Sequence, residues 1–179
     1  MARKQLTKEY IAKSLLILMK NKNYNNITIE EITNKAGVNR STYYRNFDSK
    51  ESIIEFFLDE IMSNYIADYA KLQTNSMETY LYTIFKHFYY YKNELLLIYK
   101  SGLSYILLNV LNNRFNEIYN LKEINPELQY KLYYHIGGIY NNYILWFSHD
   151  MKETPEQLVD IIYSANKSSL TPYLFKQNI

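Results

Sequence analysis

The sequence predicts an all-α protein with a small N-terminal three-helix head, which contains a helix-turn-helix, and a larger C-terminal helical bundle. Apolar residues recur at the three- and four-residue spacing of amphipathic helices along most of the chain. Helix-capping residues precede several of these segments, and only four Gly and three Pro interrupt the 179 residues. We place the head at residues 1–50 and the body at residues 51–179.

The composition narrows the possible classes of protein. With 47% hydrophobic residues the chain can bury a sizeable core, and without cysteine it has no disulfide framework, thiolate metal site or thiol nucleophile. The N-terminus lacks the apolar run of a signal peptide, and the longest apolar stretches are shorter than the roughly 20 residues that span a bilayer. We therefore expect a cytoplasmic protein that does not partner with a membrane.

The charge is distributed unevenly along the chain. Residues 1–50 contain ten Lys or Arg and four Asp or Glu, a net charge of +6, and residues 51–179 have a net charge of −4. A basic head on a mildly acidic body indicates that the head binds a polyanion. An imbalance of surface charge without functional meaning is the alternative at this point.

The first predicted helix begins near Thr7, a plausible N-cap, and covers "TKEYIAKSLLILMKNK". Its apolar stripe is formed by Ile11, Leu15, Leu18 and Met19. The second covers "TIEEITNKAG", where Thr28 and Glu31 have the spacing of a capping box. It ends at Gly37, because glycine adopts the left-handed backbone of a helix C-terminus at least cost.

A third, short helix follows after a turn of about three residues, and a long fourth helix comes next. "RSTYYRNF" predicts a helix of about two turns, and Asp48 with Glu51 forms a second capping pair before "SIIEFFLDEIMSNYIADYAKL". If Tyr43 and Phe47 face the core, the polar side chains of the short helix face outward. About eight residues make a helix about 12 Å long, close to the width of the DNA major groove.

The stretch "TIEEITNKAGVNRSTYYRNFDSKESII" resembles the DNA-binding signature of the TetR/AcrR family of one-component bacterial transcriptional regulators. The resemblance implies a TetR-like fold of about nine helices. It also implies that Tyr44 and Lys50 bind phosphates of double-stranded DNA and that Thr42 contacts the backbone or a thymine methyl group. The implied base-reading positions are Arg40, Ser41, Thr42 and Arg45.

Two residues depart from the family pattern. A leucine is commoner where Tyr43 stands, and a histidine or tyrosine is commoner where Asn46 stands. Fine docking and base preference therefore do not follow from the resemblance.

The body predicts further helices but contains no comparable motif. Breaks are expected near Lys92-Asn93 and Gly102. Asn125-Pro126 and Thr154-Pro155 each combine an N-cap with a proline at the first helical position, and they begin the last two helices.

The family resemblance implies that these last two helices pair with those of a second subunit in a homodimer. The mid-helix pair Gly137-Gly138 would allow close approach of backbones, either between subunits or, alternatively, within one. The predicted interface consists of Leu132, Ile136, Gly137, Ile139, Tyr140, Tyr143, Leu158 and Ile162.

The resemblance also implies a cavity in the body for a small-molecule effector. Candidate lining residues are His87, Tyr91, His135, Tyr143 and Trp146. Such aromatic residues can line a pocket for a flat or cationic compound, but they can equally form the core. The two histidines are isolated, so we predict neither a metal site nor a cofactor.

No nucleophile motif, glycine-rich phosphate loop or metal motif is present, and we predict no catalytic residue and no enzymatic activity. The predicted function is that of a DNA-binding transcriptional regulator. We expect a ligand-released repressor that binds a palindromic operator as a dimer. The alternative is a helix-turn-helix co-regulator or activator that a protein partner controls. The sequence specifies neither the operator, nor the target genes, nor the effector.

Overall fold

The computed structural model describes residues 2–74, 76–120 and 123–167. Over these residues the protein is all-α, as predicted, with nine α-helices, a 3₁₀ turn at Tyr24–Asn26 and no strand. The α-helices are α1 (Ala2–Met19), α2 (Ile29–Ala36), α3 (Arg40–Tyr44), α4 (Lys50–Lys71), α5 (Met77–Tyr90), α6 (Lys92–Lys100), α7 (Tyr105–Tyr119), α8 (Pro126–Ser148) and α9 (Pro155–Lys167).

The head consists of α1, α2 and α3 packed on the start of α4. Its apolar residues come from all four helices, and α2 and α3 form the helix-turn-helix. The centre of this core is fully buried and contains Ile11, Leu15, Ile32, Tyr43 and Ile53. Helix α4 begins at Lys50, at the expected boundary between head and body, but its first turns, with Ile53, belong to the core of the head.

The prediction that the first helix begins at Thr7 is wrong, because α1 begins at Ala2. The residues before Thr7 include neither glycine nor proline, so nothing there prevents the helix from extending toward the N-terminus. The extension carries Lys4 and Thr7 to the side of the head where α3 lies.

The capping box that the sequence predicts for α2 is confirmed. The Glu31 N–H donates to Thr28 Oγ1 (3.2 Å), and the Thr28 N–H donates to Glu31 Oε2 (2.8 Å). At the other end Gly37 has a φ of +66° and ends the helix in the left-handed conformation, as predicted.

Helix α3 is shorter than the two turns predicted, because it ends at Tyr44. The Asn46 N–H donates to the carbonyl of Tyr43 (2.8 Å), three residues back, which tightens the backbone into a turn. The side-chain amide of Asn46 then donates to the carbonyl of Thr42 (2.7 Å) and satisfies the acceptor that a longer helix would have used.

The predicted capping pair of Asp48 and Glu51 is wrong by one residue. The N-cap of α4 is Ser49, whose Oγ accepts from the Ser52 N–H (3.1 Å), and Ser52 Oγ accepts from the Ser49 N–H (3.2 Å). A serine at the third helical position thus takes the part that Glu usually plays in a capping box.

Helix α4 continues from the head into the body. It packs against α1 near its start and against α5 and α7 further along, while α8 packs on α7 and α9 on α5. Arg114 of α7 joins α7 to α4, since its guanidinium contacts both carboxylate oxygens of Asp59 and donates to Ser63 Oγ (2.6 Å).

The predicted breaks and caps of the body agree with the structure. Gly102 has a φ of +75° between α6 and α7. Asn125 caps α8 through its side chain, which accepts from the Leu128 N–H (2.9 Å). Thr154 caps α9 together with Gln157, whose Oε1 accepts from the Thr154 N–H (2.9 Å).

In the part of the chain that the structure describes, no single helix is long and apolar enough to cross a membrane. Helices α6 and α7 reach that length and composition only as a pair, and they are bent by 119° at the break between them.

The capping box of α2 predicts a pH dependence of stability. Hydrogen bonds from the Lys22 ammonium (2.7 and 2.9 Å) and from Thr28 lower the pKa of Glu31 from 4.5 to about 2. A lowered pKa means that the carboxylate stabilises the fold above pH 4.5 and that this contribution is lost as the pH falls toward about 2. In the Glu31→Gln variant the unfolding free energy should therefore fall less than in wild type as the pH is lowered from 4.5 to about 2.

Chemical denaturation at several pH values measures this difference, and the matched control is Glu30→Gln, which removes an exposed carboxylate outside the capping box. The prediction fails if wild type and Glu31→Gln lose stability in parallel as the pH falls.

Candidate nucleic-acid interface

The outer face of α3 is a polar surface on a buried aromatic base. Tyr43 is completely buried, while Arg40, Ser41, Tyr44 and Arg45 are exposed. The outward pattern expected from the sequence is therefore confirmed, with Thr42 half-buried at the edge.

Buried aromatic rings hold α3 from below. Tyr43 lies edge-on to Tyr44 at 5.2 Å between ring centroids, and Phe47 lies edge-on to Phe56 of α4 at 5.7 Å. Burial raises the pKa of Tyr43 to about 12, so its hydroxyl stays protonated at physiological pH. The ammonium of Lys8 lies over the rings of Phe47 and Phe56, at 5.4 and 5.2 Å from their centroids, which joins α1 to the same cluster.

Asn39, the N-cap of α3, organises the polar side chains of its first turn. Its Oδ1 lies 2.8 Å from the backbone nitrogen of Thr42, 2.7 Å from Thr42 Oγ1 and 2.8 Å from Ser41 Oγ. Thr42 Oγ1 in turn accepts from Arg45 Nη2 at 2.9 Å. The hydroxyls of Ser41 and Thr42, which the sequence predicts to contact DNA, are thus held in place by hydrogen bonds within the head.

Arg40 and Tyr44 form a second pair on the exposed face. Arg40 Nη2 lies 3.4 Å from the Tyr44 hydroxyl, a long contact, and the guanidinium lies 5.8 Å from the ring centroid. The contact with Tyr44 raises the pKa of Arg40 further above its ordinary value. Both side chains remain accessible, with Tyr44 49% exposed.

Lys50 does not extend toward the outer face of α3. Its ammonium donates to the carbonyls of Tyr24 (2.8 Å) and Ile27 (2.9 Å) and lies 4.4 Å from the centroid of the Tyr24 ring. In this arrangement two of its three N–H donors are used within the head. Lys50 thus links the start of α4 to the turn before α2, and its expected phosphate contact stays a prediction.

Sequence reasoning missed one contributor to this surface. It is Asn39, whose role could have been found from its N-cap position before "RST". Lys4 of α1 also reaches this side of the head, where it lines a groove of about 950 Å³ between the start of α1 and the helix-turn-helix, together with Val38, Asn39 and Arg45.

The five residues predicted for an effector pocket lie in different surroundings. His87 and Tyr91 line an open groove between α4 and α5, and His135 lines another beside α8 and α9. Tyr143 and Trp146 are buried in the core, where Tyr143 stacks on Phe88 at 4.4 Å between centroids. Helical periodicity identified these aromatic residues as inward-facing but could not separate a core from a pocket.

Of the residues predicted for the dimer interface, Ile136, Ile139, Tyr143 and Leu158 are buried inside the subunit. Leu132, Gly137, Tyr140 and Ile162 are half-buried. The exposed large residues of α8 are Leu128, Tyr130, Tyr133, Tyr134 and Leu145.

Comparison with known proteins agrees with this geometry. Residues 13–55 match the family model of bacterial regulatory proteins of the tetR family, which covers α2, α3 and parts of α1 and α4. The match identifies the head as the helix-turn-helix DNA-binding domain of a transcriptional regulator, a class without enzymatic activity.

The fold as a whole is similar to the crystal structure of Lin0861 from Listeria innocua. The TM-score is 0.79 over 93% of this chain and 92% of that chain, at 19% sequence identity. This likeness extends the agreement in fold from the head to the body. No curated protein sequence matches the chain significantly.

The position of Lys50 yields a prediction that separates a structural role from a phosphate contact. Lys50→Met removes one of the two donors to the Tyr24 carbonyl, which keeps the Ile27 N–H (3.2 Å), and removes the side-chain donor to the Ile27 carbonyl. It should lower the free energy of unfolding by about 1–3 kcal/mol. The salt dependence of DNA binding should change little, because no phosphate contact is lost.

Denaturant unfolding and a salt titration of DNA affinity measure the two effects, with Lys13→Met, an exposed lysine of α1, as the matched control. A variant of unchanged stability whose salt slope falls by about one per head would contradict the structural role.

Proposed function

We propose that this chain, whose head is a DNA-binding domain of the tetR family, binds a palindromic operator as a homodimer and is a repressor released by a small molecule. The observation that carries the proposal is the exposed polar face of α3 above a fully buried Tyr43. A five-residue helix held in this way can enter the major groove without reorganising the head.

The side chains of this face suit the two kinds of contact that a DNA reader makes. Arg40 and Arg45 can donate in pairs to guanine O6 and N7. The Tyr44 hydroxyl and the Lys4 ammonium lie at the edge of the same surface, where phosphates would run. The net charge of +6 over residues 1–50 attracts the phosphate backbone from a distance.

Dimerisation would place two heads on one operator, about 34–36 Å apart, so that each reads one half-site. The proposed interface is the outer side of α8, where Tyr130, Tyr134 and Leu145 are 79%, 86% and 56% exposed. Exposed rings on one side of a long helix suit burial against a second copy.

Gly137 and Gly138 support this choice of face. Beyond its chain neighbours and the backbone of its own helix, a Cβ atom added at either glycine would have no heavy atom within 4 Å, so packing against other parts of the subunit requires neither glycine. Each glycine costs its helix about 1 kcal/mol relative to alanine. Close approach of the partner's helix would compensate for that cost, and the alternative of packing within the subunit lacks support.

The effector site that we propose is the groove between α4 and α5, with a volume of about 770 Å³. Its lining includes Asp68, Lys71, His87 and Tyr91, and thus a mixture of charged and aromatic groups. Helix α4 begins in the head, beside α3, which we call the reading helix. A ligand that displaced the part of α4 at this groove would therefore change the position of the reading helix. By linkage, a ligand that weakens DNA binding in this way must itself bind less tightly to the DNA-bound form.

One observation favours a second candidate, control by a protein partner. Tyrosine rings occupy the space between α4, α5 and α8, where Tyr65 packs on Tyr80 and the Tyr80 hydroxyl lies 2.9 Å from His135 Nε2. An interior filled by its own side chains leaves less room for a ligand than an open pocket would.

The first test is selection of bound duplexes from a random DNA pool by the purified protein. We expect a palindrome whose half-sites lie about one helical turn apart. Arg40→Ala and Arg45→Ala should each relax the preference at particular base pairs by about 1–3 kcal/mol, because a bidentate contact is lost. Tyr44→Phe is the matched control for a phosphate contact, and it should lower the affinity for all DNA sequences by the same factor.

Binding that stays independent of sequence and steeply dependent on salt would contradict the operator proposal. Arginine variants that lost affinity uniformly across the selected pool would contradict the assignment of base-reading roles alone.

The dimer face is tested by Gly138→Leu. Gly138 is exposed and its added Cβ meets nothing within 4 Å, so the larger side chain should be tolerated within the subunit but would separate two α8 helices that pack closely. Light scattering at micromolar concentration should give a dimer for wild type and a monomer for the variant. Asn116→Leu, which places a leucine at an exposed position of α7, should remain a dimer.

Circular dichroism checks that both variants keep the helical fold. A monomeric wild type, or a Gly138→Leu variant with the mass of the wild type, would show that this face is not the interface.

A further inference from the structure

We propose that Asn39 fixes the hydrogen-bond polarity of the reading helix, so that Ser41 selects a base that donates a hydrogen bond in the major groove, adenine or cytosine. The inference rests on the proposed DNA-binding function. It assigns to Asn39 the role of a positioning residue and to Ser41 a base class.

The orientation of the Asn39 amide follows from one backbone contact. The backbone N–H of Thr42 can only donate, and it lies 2.8 Å from the amide oxygen Oδ1. The atom at that position is therefore the carbonyl oxygen of the side chain and not its NH₂ group. An oxygen of this kind only accepts, so both hydroxyls that contact it must donate to it.

Two contacts show that the Thr42 hydroxyl donates to Asn39. It lies 2.7 Å from Asn39 Oδ1, and it also receives a hydrogen bond from Arg45 Nη2 at 2.9 Å. Because a guanidinium has no acceptor, Thr42 Oγ1 must accept from Arg45 and give its single proton to Asn39. Thr42 therefore has no proton for a phosphate, which removes that part of the role expected for it.

The Ser41 hydroxyl also donates its proton to Asn39 Oδ1, and the distance between Ser41 Oγ and Asn39 Oδ1 is 2.8 Å. Unlike Thr42, Ser41 is exposed on the outer face of α3, and its other contacts are open to DNA. The oxygen therefore presents lone pairs outward and acts as an acceptor toward whatever enters the groove.

An acceptor at this position distinguishes the four bases. In the major groove adenine N6 and cytosine N4 are donors, whereas guanine offers O6 and N7 and thymine offers O4, all acceptors. A free serine hydroxyl rotates and binds either kind of edge. With its proton held by Asn39, Ser41 favours the amino-bearing bases and is repelled by the acceptors of guanine and thymine.

The test uses the operator obtained by selection. At the base pair whose preference depends on Ser41, the amino-bearing base is replaced by its analogue without the amino group, purine for adenine or pyrimidin-2-one for cytosine. Wild type should lose about 2- to 10-fold in affinity, the usual worth of one hydrogen bond. Ser41→Ala should bind the natural operator with the same loss and show no additional loss on the analogue.

Variants of Asn39 test the positioning role. Asn39→Asp keeps an acceptor oxygen for all three donors, so the preference at this base pair should persist even though added negative charge weakens binding overall. Asn39→Ala frees both hydroxyls, and the preference should fall toward equal use of the four bases. Asn125→Ala removes an equivalent N-cap from α8 and should leave base preference unchanged.

Guanine or thymine selected at the Ser41-dependent pair, or an Asn39→Ala variant with unchanged preference there, would overturn the inference and leave the operator proposal intact. A Ser41→Ala variant that loses the same further affinity on the analogue as wild type would do so as well. Selection that yields no preferred sequence at all would overturn both.

Discussion

The reading surface depends on the burial of Tyr43 and Phe47, because a helix of five residues has almost no stability of its own. Both rings are almost completely buried, and they fix α3 on the core that α1, α2 and α4 share. The N-cap at Asn39 and the amide of Asn46 satisfy the backbone groups at the two ends. The polar face is therefore as rigid as the core beneath it, although its own helix spans little more than one turn.

The cations of the head divide into two groups with different surroundings. Lys50 and Lys8 contact carbonyls or aromatic rings inside the head, whereas Arg40 and Arg45 remain on the exposed side of α3. A count of positive charge predicts a polyanion partner but does not say which charges meet it. The division depends on where the neighbouring carbonyls and rings lie, which is a property of the assembled head.

The parts of the fold that local chemistry controls could be predicted from the sequence. The capping box at Thr28, the left-handed Gly37 and the proline-marked starts of α8 and α9 depend on residues within a few positions of one another. The start of α1 could not be predicted, because no glycine or proline before Thr7 marks where the helix begins, and Thr7 is the first residue suited to an N-cap. The length of α3 depends on the Asn46 side chain, which competes with the backbone for the Thr42 carbonyl.

The same limit explains the errors in the body. An apolar stripe on α8 predicts that Ile136, Ile139 and Tyr143 face inward, but periodicity does not name the surface that covers them. The structure assigns that stripe to the subunit core and leaves exposed tyrosines on the opposite side of the helix. The exposed tyrosines, which the apolar stripe did not indicate, and the glycine pair are thus the residues available to a second copy.

Helix α4 determines how the two halves of the molecule can influence each other. It is a continuous helix of 22 residues, about 33 Å long, which begins beside the reading helix and ends beside the groove that contains His87. Near its middle the Arg114 guanidinium holds Asp59 and Ser63. Because α4 is continuous from the head to this groove, a displacement of its C-terminal half would be passed along the helix to its N-terminal end, within the limits set by its packing on α1, α5 and α7. In a dimer that movement would change the separation of the two reading helices, whose match to the fixed repeat of DNA determines whether both can bind.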